Sequence, residues 1–161
     1  MAERYYFAAR YSRNAELRRY RAELIAAIPE AQVTSRWIDL HKDITGGLEQ
    51  SFTPEALAAD PAGCWQFGQH DLEDLVDATA IVSFTGGVGG KGGRHIEHGI
   101  AICYAEIGGQ LLWLVPSAAR FRLIVVGPRE NIFHCHPATE VYATWSDFLA
   151  EETRRPGGSD G

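Results

Sequence analysis

The run Ala80-Ile81-Val82-Ser83-Phe84 is apolar at all but one position and leads into Gly86-Gly87-Val88-Gly89-Gly90-Lys91-Gly92-Gly93. A strand with one face in water alternates apolar and polar residues. An unbroken apolar run reads instead as a strand covered on both faces, the mark of a parallel sheet. Parallel neighbours need a crossover between them, usually a helix. The rest of the chain supplies the alternation. Tyr5 to Ala9 reads as a first strand. A helix capped by Ser12 or Asn14 follows, with Leu17, Tyr20, Leu24, Ile25 and Ile28 at helical spacing, and ends near Pro29. Val33 to Ile38 reads as the second strand. Gln69 to Asp77 is a polar helix with Leu72, Leu75 and Val76 inward, and Arg94 to Ile107 a further helix. Leu111 to Val115 fits either a strand or more helix. Leu123 to Gly127 reads as the fourth strand, Val141 to Ala143 as a short fifth, and Trp145 to Glu151 as the last helix.

This order predicts one α/β domain over residues 1–153, Rossmann-like or flavodoxin-like, with a parallel sheet of about five strands and helices on both faces. Residues 154–161 are rich in Pro, Gly and Ser and read as a disordered tail. Asp39 to Cys64 lacks periodicity, is broken by Gly46-Gly47, Pro54, Pro61 and Gly63, and reads as a long loop of the kind that carries function.

Composition excludes several classes. The net charge of −6 argues against a nucleic-acid polymer as partner, since such a partner calls for a basic face. A small nucleotide needs only one or two local cations. The cysteines, Cys64, Cys103 and Cys135, form no C-x-x-C pair, so neither a disulfide framework nor a structural zinc is expected. No apolar run approaches the ~20 residues that span a membrane. The first residues lack the basic and apolar regions of a secretion signal, so a cytoplasmic location with reduced thiols is expected.

Ligands of open parallel sheets bind beyond the carboxyl ends of the strands. That rim holds Ala9 to Ser12 and Thr85 to Glu97. The glycine segment reads as a phosphate-binding turn at a helix N-terminus or as a flexible loop without a ligand. Lys91 is followed by Gly92, so the segment is not a Walker A loop, and it follows the third strand where a dinucleotide fingerprint follows the first. Glu97 stands in the first turn of the helix, beside Gly99 and Ile100-Ala101, where the helix should press on the sheet. A carboxylate there is costly unless bonded or used, and Tyr5 or Tyr6, Arg10, Asp71 and Ser83 converge on the same rim. Strand alternation sends Tyr5 and Tyr6 opposite ways, and Tyr6 is the one expected to meet Glu97.

Three segments carry a resemblance. They are Tyr5-Tyr6-Phe7-Ala8-Ala9, then His70-Asp71-Leu72 with Val76-Asp77-Ala78-Thr79-Ala80-Ile81-Val82, then Gly93-Arg94-His95-Ile96-Glu97-His98-Gly99-Ile100-Ala101. In that order, over roughly residues 4 to 128, they resemble the nucleoside 2-deoxyribosyltransferase family. The resemblance implies cleavage of an N-glycosidic bond through a glycosyl ester on Glu97, with Tyr6 orienting its carboxylate. It implies that Asp71 binds sugar hydroxyls or helps to protonate the departing base. No cofactor or metal is implied. The unperturbed glutamate pKa of about 4.3 leads to the expectation of an ionised Glu97.

The family's aspartate six residues before the nucleophile is Lys91 here. A sister branch hydrolyses nucleoside 5′-monophosphates, and Lys91, Arg94 and Arg10 would suit a 5′-phosphate. Ser83, Gly90, Gly93 and Asn131 are further substrate-binding candidates. His95, His98, His134 and His136 complete no metal-ligand spacing and are expected to contact the base, support the site or lie on the surface. C-terminal-half residues such as Asn131 often complete a neighbouring subunit's site in this family, so a homodimer or larger homo-oligomer is expected. The competing readings are a non-catalytic nucleotide sensor on the same fold and an interaction protein acting through the 39–64 loop.

Overall fold

The computed structural model describes residues 2–39, 54–86, 93–110 and 121–155. The strands are β1 (Arg4–Ala8), β2 (Gln32–Val33), β3 (Ala80–Phe84), β4 (Arg122–Val126) and β5 (Thr139–Tyr142). They form one sheet in the order β2-β1-β3-β4-β5, and every pair is parallel. This is the flavodoxin-like order, whose switch point lies between β1 and β3. The helices are α1 (Asn14–Ala27), α2 (Pro54–Ala59), α3 (Pro61–Asp77), α4 (Gly93–Gln110) and α5 (Trp145–Glu152).

Alternation along each strand splits the core into two layers. Tyr5, Phe7, Val82, Phe84, Ile124 and Val126 pack with Leu17 and Leu24 of α1 and Trp145 and Phe148 of α5. Tyr6, Ala8, Ile81 and Leu123 pack with Leu75 of α3 and Ala101 of α4. Tyr5 and Tyr6 therefore leave β1 on opposite sides, and Tyr6 is on the side of α3 and α4.

Several boundaries differ from the sequence reading. The second strand ends at Val33, and Arg36–Asp39 is a 3-10 turn. Side chains replace the missing ladder. Ser35 Oγ accepts the Phe7 N–H at 2.6 Å and Trp37 Nε1 donates to the Phe7 carbonyl at 3.0 Å. Neither Ser12 nor Asn14 caps α1; a 3-10 turn, Tyr11–Arg13, leads into it and its N-cap is Arg13, without a side-chain cap bond.

The expected loop over 39–64 is helical where it is described, from Pro54 onward, and the helix placed at Gln69 begins at Pro61. Pro61 starts the helix instead of breaking it, since a proline at the first position gives up an N–H that has no helical partner anyway. Asp60 caps it by accepting the Gly63 N–H at 2.9 Å. A Cβ on Gly63 would fall 2.2 Å from Asp60 Oδ2, so the residue read as a break is the one the cap requires. On α3, Leu75 is buried and Leu72 half-buried, but Val76 is 58% exposed, not inward. On α1, Ile25 is exposed. Leu111 to Val115 and the tail beyond Arg155 lie outside the described residues. No helix among the described residues is long and apolar enough to cross a membrane.

Candidate active site

The site forms where β1, β3 and the N-terminal part of α4 meet at the carboxyl rim of the sheet, with α3 alongside. Tyr6 is fully buried, and its hydroxyl donates to Glu97 Oε1 at 3.1 Å. Glu97 is partly buried and lies just past the first turn of α4, which begins at Gly93, not in the first turn as the sequence suggested. Burial, reinforced by the Asp71 charge, pushes the Glu97 carboxyl up to about 8, against the lowering influence of the Tyr6 hydroxyl. Burial therefore works against the ionised Glu97 that the unperturbed pKa led one to expect. Glu97 lies past the first turn of the helix, where the N-terminal dipole has fallen off and does little to offset desolvation. Burial and the Asp74 charge raise Asp71 to about 6, opposed by Arg36. Both carboxyls are thus pushed up, Glu97 further than Asp71. Burial foremost, with the nearby Glu97 and Asp71 charges, drives the Tyr6 hydroxyl well above the usual tyrosine range, so it remains a donor.

Asp74, one turn along α3 from Asp71, is almost fully buried. It accepts the Arg36 backbone N–H at 2.8 Å and Arg36 Nε at 2.5 Å, and Arg36 also reaches Glu73 at 2.9 Å. The 3-10 turn after β2 is pinned to α3 in this way, which fixes Asp71 relative to the sheet.

The inner side of α4 is held by imidazoles. Ser83 Oγ lies 2.8 Å from His98 Nδ1, and both residues have zero exposure. Burial, then the neighbouring histidines, lowers the His98 imidazole to about 4, so it is neutral. His98 packs edge-on against buried His134, ring centroids 4.8 Å apart. Ser83 was expected to bind substrate; instead its hydroxyl is enclosed and paired with His98.

The segment after β4 grips the same helix. Gly127 has φ +117°, and a Cβ there would lie 2.4 Å from Thr85 Oγ1. The chain thereby passes close under Thr85, whose hydroxyl donates to the Pro128 carbonyl at 2.7 Å. Glu130 pairs with Arg94 and accepts the Gly86 N–H at 2.8 Å. Asn131 Oδ1 accepts the N–H groups of Phe133 and His134, and its Nδ2 donates to His95 Nδ1 at 2.7 Å. Glu130, Asn131 and His134 thus engage Arg94, His95 and His98, the residues around Glu97.

Two more expected substrate contacts are therefore committed within the chain. Arg94 is only 8% exposed and bonded to Glu130, and Asn131 is a turn cap. Arg10 follows β1 at the rim, close enough for its charge to act on His95. Gly93 is the first residue of α4, and Gly90 and Lys91 lie outside the described residues. The sequence reading missed Glu130, Arg36 and Asp74 as site-shaping residues. Their partners lie 36 to 44 residues away in the chain, and only the fold brings them together. Among the described residues, no three His, Cys, Asp or Glu side chains converge as metal ligands would. An open apolar hollow of about 400 Å³ lies along α4 between His95, Ile96, Gly99, Ile100, Cys103 and Phe133, and Glu97 does not line it.

Compared with models of known protein families, with curated proteins and with solved structures, the chain matches none.

Proposed function

We propose that the protein cleaves the N-glycosidic bond of a (2′-deoxy)nucleoside or its 5′-monophosphate, with Glu97 as nucleophile. The observation that carries this reading is the Glu97 carboxyl itself. It is desolvated, bonded to the Tyr6 hydroxyl and coupled to the Asp71 carboxylate at the rim where an α/β sheet takes its ligand. Two carboxyls driven to different pKa values divide acid and base work between them.

The proton balance follows. Asp71 takes the proton from Glu97 and passes it to the departing base as the C1′–N bond breaks and its electron pair leaves with the base. A Glu97 oxygen bonds to C1′, giving a glycosyl ester and a neutral base. Positive charge building on the sugar favours the ionised form of Glu97 during that step. Tyr6 orients the carboxylate through its hydroxyl. Water attacking C1′ releases free sugar, whereas a second base yields an exchanged nucleoside. Either acceptor returns a proton to the pair. The enzyme is read as an assembly of identical subunits, a point that sedimentation measures directly.

The test is incubation with deoxynucleosides and their 5′-monophosphates, with and without an acceptor base, followed by chromatography. Base release or base exchange by the wild type, lost in Glu97→Ala, is the expected result. No turnover by the wild type, or unaltered turnover in Glu97→Ala, would sink the reading.

A further inference from the structure

We propose that Arg36 is a positioning residue. By occupying both oxygens of Asp74, it leaves Asp71, and not Asp74, to carry the proton between Glu97 and the departing base. This rests on the Glu97 reading and deepens it.

Asp71 and Asp74 stand three residues apart on α3, so they are neighbours on one face of the helix. The charges of both act on the Tyr6 hydroxyl, and that of Asp71 also acts on Glu97. Two carboxyls are therefore within reach of one reaction centre, and Arg36 separates their roles. Its backbone N–H and its Nε donate to the two oxygens of Asp74 at 2.8 and 2.5 Å. Its Nη2 reaches the His70 carbonyl at 3.2 Å and Glu73 at 2.9 Å. The Asp74 side chain is only 7% exposed, so a carboxylate there depends on these bonds. The backbone carrying Arg36 is held as well. Ser35 and Trp37, on either side, are bonded to the N–H and the carbonyl of Phe7.

Ionisation follows this geometry. Burial, then the Asp74 charge, takes the Asp71 carboxyl up to about 6, with Arg36 opposing. At Asp74 burial also pushes upward, but the N–H and guanidinium of Arg36 oppose it directly, with a smaller contribution from His70. Among the described residues, the titratable and charged groups facing the pair are Tyr6 from β1, Glu97 from α4, His70 and Glu73 from α3 and Arg36 from the turn after β2. Of these, Arg36 is the one bonded to Asp74. Without it Asp74 keeps its burial and loses its cation, and a desolvated carboxyl without a counter-charge takes up a proton readily. Asp74 then binds a proton before Asp71 does, and α3 holds a proton sink where it had a relay.

The test compares the wild type, Arg36→Gln and the double variant Arg36→Gln with Asp74→Asn, which keeps an oxygen for the N–H of residue 36. The carboxyl carbon signals of Asp71 and Asp74 are followed by NMR against pH. In the wild type Asp71 is expected to take up its proton at the higher pH. In Arg36→Gln the order is expected to reverse, with the Asp74 acid constant falling at least about tenfold. Asp74 leading in the wild type, or an unreversed order in the variant, overturns the proposal. Turnover gives a second readout. Arg36→Gln is expected to lose at least about tenfold in kcat with little change in KM, and the double variant to return within about threefold of the wild type. A merely structural role predicts no such rescue, since the double variant has lost a further bond between the turn and α3. An undiminished kcat in Arg36→Gln, or a double variant that does not recover, overturns the proposal. Should Arg36→Gln fail to fold, the double variant decides, because the place of Asp74 is then uncharged: kcat within about threefold of the wild type supports the proposal, and a larger loss overturns it. Reversal of the proton order in a protein without any turnover sinks the Glu97 reading alone.

Discussion

Ser83 Oγ and His98 Nδ1 meet at 2.8 Å inside the protein, one residue along the chain from the carboxyl that the candidate chemistry needs. The bond ties the middle strand of the sheet to the second turn of α4. His98→Ala would leave the Ser83 hydroxyl buried and unpaired and open a cavity, a combined cost of about 2–4 kcal/mol. Chemical denaturation measures it. His98→Asn, which retains a polar partner near the position of Nδ1, should recover part of that loss.

The same histidine sets an acid limit. Its folded pKa is about 4, below the ordinary value of 6.5. A depressed base contributes stability that is present above 6.5 and lost as the pH falls through about 4. The fall in melting temperature between those values should be shallower in His98→Asn than in the wild type. Equal slopes would show that His98 does not set it.

Glu97 acts in the opposite direction. Its pKa is raised to about 8 in the fold from 4.5, so its contribution is fully present below 4.5 and is lost as the pH rises toward 8. Glu97→Gln should match the wild type in stability near pH 4 and exceed it by about 1–3 kcal/mol near pH 8. Glycosidic cleavage should fall by at least about a thousandfold in the same variant. A gain in stability together with a loss of turnover would mark a carboxyl kept for chemistry at the expense of the fold.

Tyr6→Phe removes the hydroxyl that favours ionised Glu97. The Glu97 pKa should therefore rise further, and any limb of the rate–pH profile that reports it should move to higher pH. A rate loss of about 10–100-fold, mainly in kcat, is expected for a lost orienting bond. A changed KM with an unmoved profile would place Tyr6 in ligand binding alone.

At the other end of the sheet, Arg122 bonds Glu3, Glu140 and Glu152, and Glu152 also accepts the Tyr5 hydroxyl at 2.6 Å. Arg122→Met leaves these carboxylates without their shared cation. The expected loss is about 3–5 kcal/mol of stability, with kcat/KM unchanged at a temperature where the variant is folded.

Much of this architecture was legible in residue order. The apolar run at 80–84 matches β3 residue for residue, because a strand buried on both faces leaves no ambiguity of period. Alternation also assigned Tyr6, not Tyr5, to the Glu97 side. What could not be read was set by distant partners. Val33 to Ile38 has the composition of a strand, yet Ser35 and Trp37 spend their side chains on Phe7 and the backbone turns away. Pro61 and Gly63 look like breaks until Asp60 is seen to cap a helix across them. Arg94 looked like a cation awaiting a phosphate, and only the fold supplies Glu130. The ionisation of Glu97 went unread for a related reason, since burial is a property of the assembled site and not of the residue.

The side-chain bonds to Phe7 have a consequence outside the site. β2 is an edge strand only two residues long, so β1 would otherwise present unpaired backbone beyond it. Bare edges of that kind recruit strands from other molecules and seed aggregates. One hydroxyl and one indole fill the positions a foreign strand would take. Losing Ser35 and Trp37 would therefore damage the solubility of the chain at high concentration before it damaged any chemistry.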